Sequence, residues 1–278
     1  MLKYEILPEQ LCYEGTVTES QFFEPEPLAH QVVLAVHEAQ YLDRLLTQTL
    51  TKQEIRRIGF PLSADLIERE LRIAQGTVTA CKFATDDGIA FNIAGGTHHA
   101  FRDAGEGFCL LNDQAIAAQY LIDNKLAQQI LIIDLDVHQG NGTAAIFKNE
   151  SKVFTLSLHG KDNFPLHKEK SDLDIAFEND TSDELYLATL TTTLAKVLVE
   201  LKPDFLFFQA GVDVLDTDKL GKLKLSREAC KKRDRIVLES ARKYALPLVV
   251  CMGGGYSEKL TDIIEAHANT YRLAKEIY

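Results

Sequence analysis

Five times along the chain an apolar run passes through a turn toward an amphipathic stretch, and this recurrence restricts the fold more than any other feature. The runs are residues 89–94, 130–137, 153–158, 205–209 and 247–252, and helical patterns occupy 113–124, 184–201, 227–244 and 258–276. Strands alternating with helices of this length imply βαβ units and a mostly parallel sheet. The runs are nearly all apolar rather than alternating, as expected when helices cover both sheet faces. A three-layer α/β/α architecture follows, built as one domain over residues 1–278. The first eighty residues read as helical, with patterns over 28–50 and 63–83 and a break at Gly59-Phe60-Pro61. Thr181-Ser182-Asp183-Glu184 has capping-box spacing, and the basic cluster Lys231-Lys232-Arg233 with Arg235 reads as a solvated helix face.

Composition narrows the function classes. A net charge of −11 disfavours binding to a phosphate backbone and is compatible with a cationic substrate such as a lysine derivative or polyamine. No apolar stretch approaches the length of a membrane span, and the N-terminus lacks signal-peptide layout, so a cytoplasmic protein is expected. The five cysteines, Cys12, Cys81, Cys109, Cys230 and Cys251, form no CxxC pair, which suits a reducing compartment and argues against a thiolate zinc finger. Neither nucleic acid nor membrane is an expected partner.

In open parallel sheets ligands bind beyond the carboxyl ends of the strands, so each run is informative at its end. The first ends in Gly95-Gly96-Thr97-His98-His99, and the second carries Asp134, Asp136 and His138. The third ends with Ser157 and His159, the fourth reaches Asp213, and the fifth becomes Gly253-Gly254-Gly255-Tyr256. Side chains at i, i+2 and i+4 of a strand share a face, which groups Asp134, Asp136 and His138. Buried without compensation they would cost several kcal/mol, so a cation or specific partners are needed. Asp136 and His138 with one carboxylate from a neighbouring strand, Asp213 being the natural candidate, give the three-ligand pattern of a catalytic zinc. A histidine near metal-activated water can take a proton and return it to a leaving amine. Each imidazole of the His98-His99 pair needs an orienting acceptor, which Asp134 and Asn141 could supply. Tyr256 could hydrogen-bond a substrate carbonyl opposite the metal. Each feature has a bland counterpart: a capping aspartate, a packed turn, an ordinary glycine-rich loop.

The ordered segments "GGTHHAFRDAGEGFCLLND", "IIDLDVHQGNGT", "SLHGKDNFP", "QAGVDVLDTDKLGKLKLS" and "MGGGYS" resemble the motif series of the zinc-dependent histone deacetylase family, which has the arginase/deacetylase fold. Asn141 and "DKLGKLKLSREACKKRD" are most similar to class IV deacetylases and their bacterial relatives. The resemblance spans residues 29–278. It implies that Asp136, His138 and Asp213 hold Zn²⁺, that His99 is the general base and acid beside His98, and that Asp134 orients His98. It implies further that Tyr256 polarises the acyl carbonyl, and that Gly107, Phe108, Phe164 and Gly254 contact substrate. A structural K⁺ or Na⁺ is implied around Asp134, Asp136, His138, Ser157 and Leu158. The expected activity is removal of an acetyl or longer acyl group from an acylated lysine or similar amine. Class I enzymes carry Asp where Asn141 stands, so His99 is expected to be less basic here. The chain opens at "MLKY", just inside the segment where class IV-like bacterial members begin with a short strand. A first sheet strand and part of the pocket rim are therefore expected to be absent. Two rivals are an arginase-like two-metal ureohydrolase and a non-catalytic binder of acylated amines. The first would need further aspartates that "DVHQGN" and "GVDVLD" do not supply.

Overall fold

The computed structural model describes residues 2–278. Its elements are α1 (Lys3–Tyr13), α2 (His30–Val33), α3 (Ala39–Leu46), α4 (Lys52–Ile58), α5 (Ala64–Asp87), β1 (Ile89–Asn92), α6 (Asp113–Asp123), β2 (Ile130–Asp134), α7 (Asn141–Phe147), β3 (Val153–Gly160), β4 (Leu173–Phe177), α8 (Asp183–Leu201), β5 (Phe205–Gln209), α9 (Arg227–Lys243), β6 (Leu248–Cys251) and α10 (Leu260–Ile277). Six parallel strands form one sheet in the order β1-β6-β5-β2-β3-β4. From β2 the chain builds outward through β3 and β4, then returns to place β5 and β6 on β2's other side. The order reverses between β2 and β5, which is where an open α/β sheet leaves a crevice at its carboxyl edge.

Successive strand residues face opposite layers. Ile130, Ile132, Phe205, Phe207, Val249 and Cys251 pack with α5 and α6. Leu131, Ile133, Leu206, Phe208, Leu248 and Val250 pack with α8, α9 and α10 on the other face. This two-sided burial is why the strands read as unbroken apolar runs. Helix starts are set by side-chain caps: Ser63, Asn112 and Ser226 accept from Leu66 N, Ala115 N and Ala229 N. Gly59 ends α4 in the left-handed region at φ 90°, realising the expected break.

Several expectations shift. The pattern over 28–50 is divided into α2 and α3, separated by residues 34–38. The cap of α8 is Ser182, which accepts from Leu185 N at 3.3 Å, one residue past Thr181; with Leu185 at the third helical position the expected box does not form. Arg233 is no part of a solvated face; it is fully buried. β4 lies at the sheet edge opposite β1. The described residues ahead of β1 contain helices and no strand, and Met1 lies outside them. The rim in this region is lined by Leu2, Lys3 and Tyr4 at the start of α1, which packs on α10. No helix among the described residues is long and apolar enough to cross a membrane.

Candidate metal centre and active-site cavity

β2 leaves the sheet after Asp134, so Asp136 and His138 are not strand residues as their alternation suggests. Side-chain-to-backbone bonds build the turn instead. Asp134 Oδ1 accepts from Asp136 N at 3.1 Å, and Asp136 Oδ1 accepts from His138 N at 3.0 Å. Each carboxylate thereby folds the backbone two residues ahead of it, an Asx-type turn. Beyond β5, Asp213 reaches the same point, held by Val137 N donating to its Oδ1 at 2.9 Å.

Asp136, His138 and Asp213 offer ligand atoms within 4.8 Å of one another, all buried, and form the only such metal-capable group found among the described residues. His138 Nδ1 lies 2.9 Å from Asp136 Oδ1 and 3.1 Å from Asp213 Oδ2. Gly254 N donates to Asp136 Oδ2 at 3.0 Å, and a Cβ at Gly254 would collide with Asp213 Oδ2. Only glycine allows the backbone so near the carboxylates. Burial, reinforced by the Asp136 charge, pushes Asp213 up to about 7. Burial also works against a charged His138, but its bonds to Asp136 and Asp213 overcome that and lift it to about 10. The three groups therefore require one positive charge among them, which a proton on His138 or a bound cation can supply. One imidazole and two carboxylates are a suitable donor set for Zn²⁺.

The histidine pair stands beside this centre. His98 Nδ1 donates to Asp134 Oδ2 at 2.7 Å, and His99 Nδ1 donates to Asn141 Oδ1 at 2.7 Å. Burial disfavours charge on His98, yet the Asp134 charge and hydrogen bond raise it to about 9. Burial, then the neighbouring His98 and His138 charges, hold His99 well below the usual imidazole range. The pair is thus one imidazolium and one neutral ring near neutral pH.

Phe164 sets its ring edge-on to His99, with centroids 5.0 Å apart, and Gly107 packs so closely on His99 that a Cβ there would overlap the ring. Gly107 and Phe108 are both left-handed, at φ 54° and 68°, a tight turn that leaves Phe108 exposed at the mouth against Phe60. Tyr256 lines the same cavity, of about 350 Å³, with His98, His99, Asp136 and His138. Burial, with Asp213 and Asp136 nearby, keeps Tyr256 a neutral phenol by raising it well above its ordinary value. The cavity is also lined by Lys3, Tyr4, Glu70, Ile73, Leu260 and Ile263.

Ser157 lies beside Asp134 in register, but its Oγ bonds His159 Nδ1 at 2.9 Å. His159 is thereby occupied away from the metal-capable group. Leu158 packs its side chain into the core.

Four contributors escaped the sequence reading. Arg233 donates to Leu135 O at 3.1 Å and Gly211 O at 2.6 Å, tying together the loops that carry Asp136 and Asp213, while Asp234 pairs with it at 2.7 Å. The i, i+4 stripe Ala229, Arg233, Val237, Ala241 was the available signal. Asp218 accepts from Tyr256 N at 2.6 Å and so positions the tyrosine's backbone. Glu106 accepts from Asn141 Nδ2 at 2.9 Å. Lys3 donates to Gly253 O at 3.2 Å, beside the Tyr256 ring. Nothing local in sequence marked these last three.

A metal-capable acid–histidine group at the switch point of a parallel sheet between two helical layers defines the arginase/deacetylase fold, and solved structures agree. A crystal structure of an HDAC homolog complexed with SAHA matches all of this chain and 77% of its own, with TM-score 0.82 and 25% identity. That of an HDAC homolog from Aquifex aeolicus matches 98% of this chain and 76% of its own, with TM-score 0.81 and 25% identity. The chain belongs to the histone deacetylase family: the model of the histone deacetylase domain matches residues 2–271. An uncharacterized protein of Picosynechococcus is 40% identical over all of this chain and 93% of its own length. Histone deacetylase 2 of Arabidopsis thaliana is 29% identical over 91% of this chain and 68% of its own.

Proposed function

We propose that this deacetylase-family hydrolase is a zinc-dependent amidohydrolase that removes an acetyl or longer acyl group from an acylated lysine or similar amine. The observation that carries the reading is the sharing of one cavity by the Asp136–His138 side of the triad, the histidine pair and Tyr256. Asp136, His138 and Asp213 would hold the ion. When bound there, Zn²⁺ supplies Lewis acidity that polarises an acyl carbonyl and acidifies water. The chain's own groups handle protons and charge. His99, the neutral ring of the pair, takes a proton as water adds to the carbonyl and returns it to the departing amine nitrogen. Asp134 keeps His98 charged beside it. Tyr256, held as a phenol, donates to the carbonyl oxygen as negative charge grows there. Gly107, Phe108 and Phe164 form an apolar approach for the lysine stem, and Gly254 brings backbone close to the acyl group. Water is consumed, the C–N bond breaks, and a carboxylic acid and an amine leave.

Ile73, Leu260 and Ile263 in the cavity lining favour acceptance of acyl chains longer than acetyl. The single three-residue group among the described residues, with Asp134 engaged by His98, favours one divalent ion over a two-metal ureohydrolase site. A monovalent cation at the backbone of Asp134, Asp136, His138, Ser157 and Leu158 is proposed as a structural companion, supported by the carboxylate density there. The test is turnover of acetyl-lysine and long-chain acyl-lysine peptides side by side, with a hydroxamate control. Hydroxamate-sensitive release of free lysine side chains is expected. Absence of turnover with zinc-loaded protein favours a non-catalytic binder.

A further inference from the structure

Asn141 lies between two partners. Its Oδ1 faces His99 Nδ1 at 2.7 Å, and its Nδ2 faces Glu106 Oε2 at 2.9 Å. Glu106 in turn holds Arg57 Nε at 3.0 Å through its other oxygen. A side-chain amide has one accepting and one donating end, so its orientation dictates what the neighbouring imidazole must do. With Oδ1 toward His99, Nδ1 must carry the hydrogen and the lone pair is left on Nε2, which lies 3.1 Å from His98 Nε2. With the amide reversed, Nδ1 would accept, and a neutral His99 would carry its hydrogen on Nε2 and could not take a proton there. An aspartate at this position would need no such control, because a carboxylate only accepts. An amide holds that direction most firmly when its donating end has a committed acceptor of its own.

We propose that Glu106 is that acceptor: a positioning residue that acts through Asn141 to set the His99 tautomer. This rests on the catalytic role proposed above for His99. Glu106 is suited to the task because an ionised carboxylate accepts and cannot donate, so only Nδ2 can face it. Its own place is fixed from both sides of the turn. Glu106 N donates to Cys109 O, Gly107 N donates to Arg57 O at 3.1 Å, and Phe108 N donates to Ile58 O at 2.7 Å. The turn is thereby pinned to the end of α4, and Arg57 lies over the Phe101 ring, 5.4 Å from its centroid. The Glu106 side chain is only 16% exposed against 46% for Arg57, so the carboxylate faces inward while its counter-ion faces water. An ion pair serving the surface alone would have no reason to place one oxygen on a buried catalytic amide.

The test has two readouts. In zinc-loaded protein, long-range ¹H–¹⁵N spectra should show His99 as the Nδ1–H tautomer, and Glu106→Ala should convert it to a mixture. The same variant should lose roughly 10- to 100-fold in kcat with KM and zinc content unchanged, the scale of removing an outer hydrogen-bond partner. Asn141→Asp should be impaired because two carboxylates then face each other, and Asn141→Asp/Glu106→Gln, which reverses the amide and carboxylate, should regain most of the loss. An Nε2–H tautomer in the wild type, an unchanged tautomer in Glu106→Ala, or a double variant no better than Asn141→Asp overturns the proposal. The tautomer is read without substrate, so its outcome is independent of whether acyl-lysine peptides are turned over.

Discussion

The Nε2 atoms of His98 and His99 lie 3.1 Å apart, and their Nδ1 atoms are committed to different kinds of partner, Asp134 and Asn141. Burial disfavours charge on both rings; the Asp134 carboxylate overcomes it for His98, while the His98 and His138 charges deepen it for His99. Replacing His99 with Ala should therefore lower kcat by about 100- to 10,000-fold with metal content intact. Steady-state kinetics with elemental analysis of the same sample checks this; loss of zinc together with activity would move His99 into the metal centre.

Asp213→Ala should abolish both metal retention and turnover. It removes one of three donors and leaves His138 with Asp136 alone. Equilibrium dialysis against Zn²⁺ should give about one ion per chain for the wild type and a greatly weakened site for the variant, as a three-ligand catalytic site requires. Full occupancy in the variant would exclude Asp213 as a ligand.

Tyr256→Phe should keep the metal and lose about 100- to 1,000-fold in kcat, the usual cost of deleting one donor to a developing oxyanion. The loop should stay in place, because Asp218 holds Tyr256 through its backbone N–H rather than its hydroxyl. A change confined to KM would argue for a binding role instead.

Glu70 gives stability a pH dependence. It is buried with Oε2 unpartnered, and burial raises it from 4.5 to about 7. Arg69 and the Leu110 N–H oppose the rise and Asp113 reinforces it, with Tyr4, Tyr41 and Cys109 also nearby. A carboxyl raised on folding contributes stability that is complete below its unfolded value and is lost as pH climbs through the folded one. Native stability should thus fall between about pH 5 and 8, by up to about 3 kcal/mol from this group. Urea titrations across that range should show a flatter profile for Glu70→Gln; an unchanged slope would remove Glu70 as its source.

Arg233→Met should cost about 3–5 kcal/mol, because Asp234 loses its partner inside the protein and the Leu135 and Gly211 carbonyls lose their donor. Pairing it with Asp234→Leu should recover part of the loss, which chemical denaturation of both variants would measure.

The sheet was legible because strands buried on both faces cannot avoid being apolar, and the positions of β2, β3, β5 and β6 follow from that; β1, half-buried at the sheet edge, is also largely apolar. β4 was not: its residues alternate, with Asp174 and Ala176 outward, as an edge strand permits. The strand ends announced the residues of the site, since polar side chains after an apolar run demand partners. Their orientation was less accessible. Asp136 and His138 converge through Asx turns rather than strand alternation, and the partners Glu106, Asp218 and Lys3 arrive from loops and a helix distant in sequence. Arg233 was misread because charge on a helix usually faces water, while here two buried backbone carbonyls and Asp234 take it up.

Acetate release from an acetyl-lysine peptide, measured as Zn²⁺ is returned stepwise to metal-stripped protein, tests the central claim most directly. The rate should rise in proportion to bound zinc, saturate at about one ion per chain, and stay at background for Asp213→Ala. A chain carrying one zinc that releases neither acetate nor a longer fatty acid from acylated lysine would contradict it.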